Sequence, residues 1–195
     1  MRILAIADKK HRALYDYFEK ERWKDIDLIL SCGDLDKEYL GFLVTLISVP
    51  LLYIPGNHDR SFLDDPPGGC DSLDGRVVKV KGITISGLGG CMWYNGEGVQ
   101  YKEKEMLRKV RRIMRKSRRM GGIDIFVAHA PPKGIHDLDD QCHQGFQAFK
   151  NIIEELHPSI FIHGHNHEVH SRFDRETVID GVRVINAYGY HCFDI

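Results

Sequence analysis

The chain has no paired cysteines, no uninterrupted apolar run of membrane length, no low-complexity tract and almost no net charge. Each absence removes a class of function. Its five cysteines, Cys32, Cys70, Cys91, Cys142 and Cys192, are scattered, odd in number and without C-x-x-C spacing. That pattern argues against a disulfide scaffold or a thiolate zinc module and favours reduced thiols. The longest apolar region, residues 42–54, is broken by Thr45, Ser48 and Pro50 and falls short of the roughly 20 residues that a membrane span needs. The apolar start meets Asp8 too soon for a secretory leader, so a cytoplasmic location and no membrane partner are expected. A formal charge of -1 over 195 residues supplies no global attraction to nucleic acid. With neither repeats nor linkers, one domain over residues 1–195 is the economical reading. The apolar fraction of 43% is ordinary for a globular protein able to bury a core.

What is present is a set of five compact apolar runs, each ending in polar side chains. Ile3 to Ala7 runs into Asp8, and Leu28 to Ser31 into Gly33-Asp34. Leu51 to Ile54 runs into Gly56-Asn57-His58-Asp59, Ile125 to Ala128 into His129, and Ile160 to Ile162 into His163-Gly164-His165-Asn166-His167. Such runs read as buried strands, and the loops beyond strand ends are where an open α/β sheet builds its site. Carboxylate oxygen, amide oxygen and imidazole nitrogen without thiolate suit manganese, iron or zinc.

Between these strands the patterning predicts helices over residues 11–23, over 37–47 with Asp36 as cap, over 102–120, and over 146–156 before Pro158. Residues 64–75 read as a turn-rich surface loop. The runs at 76–81 and 83–86 mark a change to a second sheet. Residues 177–179 and 182–185 form a hairpin around Asp180-Gly181, with residues 186–190 near that sheet's edge. The glycines at 87–90 offer either backbone N–H groups for a phosphate or tight turns beside the aromatic pair Trp93-Tyr94. Segment 102–120 carries ten Lys or Arg against two Glu. Its basic face reads either as a solvated surface or as a rim for an anionic substrate.

In this order the motifs resemble the calcineurin-like metallophosphoesterases, whose pattern D-x-H, G-D, G-N-H-[DE], a lone His and G-H-x-H spans essentially the whole chain. Residues 129–145 resemble the small phosphodiesterase branch. The resemblance implies an α/β fold, a four-layer αββα sandwich of two mixed sheets flanked by helices. It also implies metal-dependent hydrolysis of phosphodiesters or nucleotides by attack of a metal-activated hydroxide. One ion would be held by Asp34, Asn57, His129 and His165, the other by Asp8, Asp34 and His167, with Asp34 bridging. His58 would protonate the leaving oxygen, with Asp36 or Asp59 to orient it. His136 and His143 are further candidates for substrate contact, and His163 and His170 read as structural.

The first motif departs from the pattern: the chain reads Asp8-Lys9-Lys10, and His11 comes one position late. An ammonium about 4 Å from a unit charge costs roughly 4 kcal/mol at an effective dielectric of 20, and a dication doubles that. Either Lys10 turns away and water completes the shell, or Lys10 replaces the ion and contacts phosphate, or His11 reaches inward. The expectation is one firmly bound divalent ion and a second, weaker one, manganese foremost, with iron, zinc, cobalt or nickel as substitutes. The partner expected is a phosphoester, with nucleic acid not favoured and the oligomeric state left open. The alternatives are a catalytically weak binding module on the same fold and a nuclease using segment 102–120.

Overall fold

The computed structural model describes residues 1–167 and 174–195, so His170 lies outside the described residues. Strands β1 (Arg2–Ala7), β2 (Leu28–Ser31), β3 (Leu51–Tyr53) and β4 (Asp71–Ser72) run parallel in one sheet. The second sheet has the order β11-β12-β10-β9-β6-β5. It contains β5 (Val77–Val80), β6 (Ile83–Leu88), β9 (Ile125–Ala128), β10 (Ile160–His163), β11 (Glu176–Ile179) and β12 (Val182–Asn186). Its central strands are parallel and its two edges antiparallel. A small third pair joins β7 (Cys91–Met92) to β8 (Gln100–Tyr101).

Period-two alternation separates the layers. Ile3, Ala5, Leu28 and Leu30 point inward to meet Ile125, Val127, Ile160 and Ile162 across the space between the sheets. Leu4, Ile6 and Ile29 point outward onto Tyr39, Leu40 and Leu43 of helix α1 (Lys37–Ile47). Phe126 and Phe161 point outward on the other side, onto α2 (Glu103–Arg119) and α3 (Lys150–Leu156). Each fully buried side chain of this size contributes about 1.5–3 kcal/mol, and strands buried on both faces explain the continuous apolar runs. The result is the helix-sheet-sheet-helix sandwich.

Helix α1 begins where Asp36 Oδ1 accepts the Tyr39 N–H at 2.8 Å and ends at Ser48, whose φ of 59° leaves the helical region. Segment 11–23 does not form the expected helix. It contains two short 3-10 turns, Arg12–Leu14 and Lys20–Trp23, and spreads Tyr15 and Phe18 edge-on over Phe42 at 4.8 and 5.7 Å. Aromatic packing on α1 outweighs local helical spacing there. The helix expected over residues 146–156 starts as a 3-10 turn and becomes α-helical at Lys150. Residues after β12 also differ from expectation. Instead of lining the second sheet they cross back, and β13 (Gly189–Asp194) pairs antiparallel with β1 as the edge of the first.

Candidate metal centre

All five polar strand ends lie on one edge of the sandwich, because β1, β2 and β3 are parallel in one sheet and β9 and β10 in the other. Backbone bonds tie adjacent ends: the Asp8 N–H donates to the Gly33 carbonyl at 3.1 Å, and the Gly164 N–H to the His129 carbonyl at 3.0 Å. Three of the candidate ligands sit in the left-handed region, Asp8 at φ 62°, Asp34 at 56° and His165 at 68°. That conformation is uncommon for non-glycine residues and clusters at functional sites. Gly33 and Gly56 pack back to back beside them. A Cβ on Gly33 would lie 2.4 Å from the Gly56 nitrogen, and one on Gly56 would lie 2.1 Å from Asp34 Oδ1.

The best-organised donors are Asp34, His129, His165 and Asn57. One ligand atom from each of Asp34, His129 and His165 falls within 4.8 Å of the others. His129 is fully buried. Its Nδ1–H donates to the Cys32 carbonyl at 2.7 Å, leaving Nε2 toward Asn57 Oδ1 at 2.9 Å and Asp34 Oδ2 at 3.4 Å. Burial opposes a charge on this ring, but the Asp34 carboxylate outweighs it and holds His129 up to about 9. Asp34 in turn lies well below the usual carboxylate range: burial would raise it, and His129 together with the His58 N–H pulls it down. The Asp34 carboxylate therefore favours a positive charge beside it, which a divalent cation supplies, while burial and the neighbouring His129 lower His165 to about 3 and keep that ring neutral. His165 completes the set. Its Nε2–H donates to the Cys142 carbonyl at 2.7 Å, leaving Nδ1 as the donor atom. Fixing the far nitrogen of each imidazole is what metal-ligating histidines require.

The Asp8 half is looser. The Asp8 carboxylate is buried and already accepts the His165 N–H at 2.9 Å. His167 stands 3.6 Å from it, with a side chain 56% exposed and stacked on Tyr188 at 4.6 Å. Lys10 points away from this half and pairs with Asp36 Oδ2 at 2.5 Å. That hydrogen bond raises its pKa, against the opposing effect of burial. His11 is turned away too, its Nδ1 accepting the Ala13 N–H and its ring edge-on to Tyr190.

Asp34, Asn57, His58, His143, His165, His167 and Asp8 line one cleft of about 240 Å³, with Tyr94 and Cys142. The His58 N–H donates to Asp34 Oδ1 at 2.9 Å, and its ring, 75% exposed, stands 4.0 Å from Asp34 Oδ2. Neither acid expected to orient that ring does so. Asp36 is committed to Lys10 and the α1 cap, while buried Asp59 accepts the N–H groups of Asp34 and Gly56 at 2.7 and 2.8 Å. His143 lines the cleft with Nδ1 2.8 Å from Asp140 and its ring 5.1 Å from that of His165.

His136 lies behind the cleft rather than in it. Its Nδ1–H donates to His163 Nε2 at 3.0 Å, Thr177 Oγ1 donates to its Nε2 at 2.8 Å, and His163 Nδ1–H donates to the Gly164 carbonyl at 2.9 Å. Burial lowers His136 to about 4 and pushes His163 down as well, so both rings are neutral in this chain of bonds. The glycine stretch makes no phosphate cradle: the Gly89 N–H donates to Asp74 and the Gly90 N–H to the Pro55 carbonyl. The sequence pattern assigns no role to Asn166. Fully buried between the two loop histidines, it donates from Nδ2 to the His136 carbonyl at 2.5 Å, while its backbone carbonyl accepts from Asn186 Nδ2 at 2.8 Å. Its only sequence signal is a polar residue at the variable position of G-H-x-H.

Residues 1–169 match the family model of the calcineurin-like phosphoesterases. The chain belongs to that family. Among curated relatives, an uncharacterized protein of Methanocaldococcus jannaschii is 28% identical over 157 residues, covering 73% of this calcineurin-like phosphoesterase and 70% of that protein. Among solved structures, one aligns with a TM-score of 0.71 at 16% identity, over 99% of this chain and 94% of its own. The phosphopantetheinyl hydrolase PptH of Mycobacterium tuberculosis aligns at 0.57 and 14% identity, over 95% and 88%. GAP50 of Plasmodium, described as the anchor in the inner membrane complex, aligns at 0.56 and 13% identity, over 95% and 70%. These structural likenesses concern the calcineurin-like fold, which the sandwich of two mixed sheets shares. No helix among the described residues is long and apolar enough to cross a membrane.

Proposed function

We propose that this calcineurin-like phosphoesterase hydrolyses phosphodiesters or nucleotides with two divalent ions, manganese foremost, in the cytoplasm. The observation that carries the reading is the convergence of Asp34, Asn57, His129 and His165, with the far nitrogen of each imidazole held by a carbonyl. Those four residues would hold one ion, and Asp8, Asp34 and His167 the other. When bound, such ions supply an acidified water as nucleophile and offset the charge gathering on the phosphoryl group. The chain's own groups supply the rest. His58, anchored through its backbone to Asp34 and open at the ring, donates a proton to the leaving oxygen, a service worth about a hundredfold to ten-thousandfold. His143, steadied by Asp140 and lining the same cleft, would contact the phosphoryl oxygens. A cleft of about 240 Å³ accepts one phosphate with part of its substituent, which favours a small or flexible ester over a folded phosphoprotein.

The testing experiment assays the protein with manganese, cobalt, nickel, magnesium and zinc against bis-p-nitrophenyl phosphate, p-nitrophenyl phosphate and cyclic nucleotides, beside His58→Ala. Diester hydrolysis that needs metal and drops in the variant is the expected result. Unchanged activity in the variant would remove the assigned role of His58, and silence with every metal would remove the hydrolase. One observation favours a second reading, a binding module: Lys10 replaces a ligand histidine and is committed to Asp36. The open ring of His58 weighs against it, because a scaffold has no use for a leaving-group acid.

A further inference from the structure

Charge in this molecule is sharply segregated. Residues 102–120 carry ten Lys or Arg and two Glu, a balance of +8, so the remaining chain carries -9 to give the formal total of -1. Both glutamates are occupied locally: Glu105 closes the capping box at the start of α2, and Glu103 accepts the N–H groups of Gln147 and Ala148. Lys109 and Arg118 are neutralised by Asp74 and Glu155, and Lys116 donates to the Gly75 carbonyl.

Lys104, Arg108, Arg111, Arg112, Arg115 and Arg119 have no carboxylate partner among the described residues, and all six are exposed. At 100° per residue, Lys104, Arg108, Arg111, Arg115 and Arg119 fall on one stripe, opposite the buried Met106, Val110 and Ile113. At 1.5 Å per residue the stripe is about 22 Å long. Five of these six cations are arginines, the side chain whose planar fork matches phosphate oxygens.

The start of helix α2 lies one residue contact away from the cleft wall. Lys102, its cap residue, lies 5.4 Å from the ring centroid of Trp93, and the next residue, Tyr94, lines the cleft. Trp93 is 42% exposed. An exposed arginine stripe, an open indole beside the first turn of the same helix and a phosphate-sized cleft next to that indole match a polyanion whose bases are unstacked. We propose that α2 is the docking surface for a single-stranded nucleic acid, its phosphates along the arginine stripe and a base on Trp93. Single strands combine backbone contacts in a basic track with aromatic stacking in this way, whereas a duplex offers no free base face. The proposal deepens the phosphodiesterase reading and rests on it for cleavage of the docked strand, but docking itself is measured without turnover.

Fluorescence anisotropy of a labelled single-stranded oligonucleotide, titrated with the manganese-loaded His58→Ala protein across a salt series, tests it. Five phosphate contacts predict a log–log salt slope of about -3.5. The triple variant Arg108→Gln, Arg111→Gln, Arg115→Gln in that background, all at exposed helical positions, flattens the slope by about 2 and weakens binding about a hundredfold at 0.1 M salt. Trp93→Ala weakens binding with no change in slope. The same triple substitution with His58 intact leaves hydrolysis of bis-p-nitrophenyl phosphate unchanged, which separates failure of docking from failure of the hydrolase. Equal affinity in the triple variant, preference for a blunt duplex, or tighter binding to phosphatidylserine vesicles than to the oligonucleotide would overturn the proposal.

Discussion

The two halves of the candidate centre are built to different standards. Around His129 each imidazole is buried and aligned by a backbone carbonyl, and the neighbouring carboxylate and amide lie within hydrogen-bonding range of it. Around Asp8 the carboxylate is partly spent on the His165 N–H, His167 is half in solvent, and Lys10, where the family pattern would have a histidine, is ion-paired with Asp36. A cation site gains affinity when its donors are held in place before the ion arrives, and only the first half meets that condition.

The comparison breaks most visibly at its strong side. His129→Ala is expected to remove the ion retained through dialysis and to lower diester hydrolysis by more than about a hundredfold. Elemental analysis beside the rate measures both, and an unchanged metal content would show that the buried half is not the firm one. His58→Ala should cost about a hundredfold to ten-thousandfold in kcat while leaving metal content alone, because the ring faces the cleft without joining the donors.

On the weak side, Asp8→Ala should lose only the loosely held equivalent. Two ions retained at equal affinity in the parent protein would erase the distinction. Lys10→His sharpens it from the other direction. By removing a cation and returning a donor, it should tighten the second ion about tenfold in a manganese titration. A last effect, read in stability rather than in metal content or rate, concerns the support behind the firm half. His136 is held neutral by burial, with a value near 4 against an ordinary 6.5. Its folded value is depressed, so the unfolded chain binds the extra proton and stability falls as pH drops from 6.5 toward 4. His136→Asn, which tolerates the positive φ of 57° at that position, should flatten that decline by at most about 3 kcal/mol in urea melts.

Much of this architecture was legible because it follows from local pattern. The five strands are short apolar runs, Asp36 is a cap followed by a helical stripe, and the candidate site residues come directly after strand ends. What escaped depends on groups that a sequence does not display. The carbonyls of Cys32 and Cys142 that orient His129 and His165 belong to backbone, not to side-chain type. The destination of Lys10 depends on the loop before α1 returning Asp36 to its side, and the pairing of His136 with His163 depends on two distant loops meeting. Strand β13 was missed because its partner β1 lies at the opposite end of the chain. The helix expected over residues 11–23 failed for a related reason: Phe42, a neighbour in space, recruits its aromatics.

The arginine-lined helix has a practical corollary. A protein this close to electroneutrality would pass through ion-exchange media if its charges were mixed, but here a strip of positive potential lies on an otherwise negative body. Immobilised sulfonate and quaternary amine resins should therefore each retain it at neutral pH and low salt, each gripping a different side.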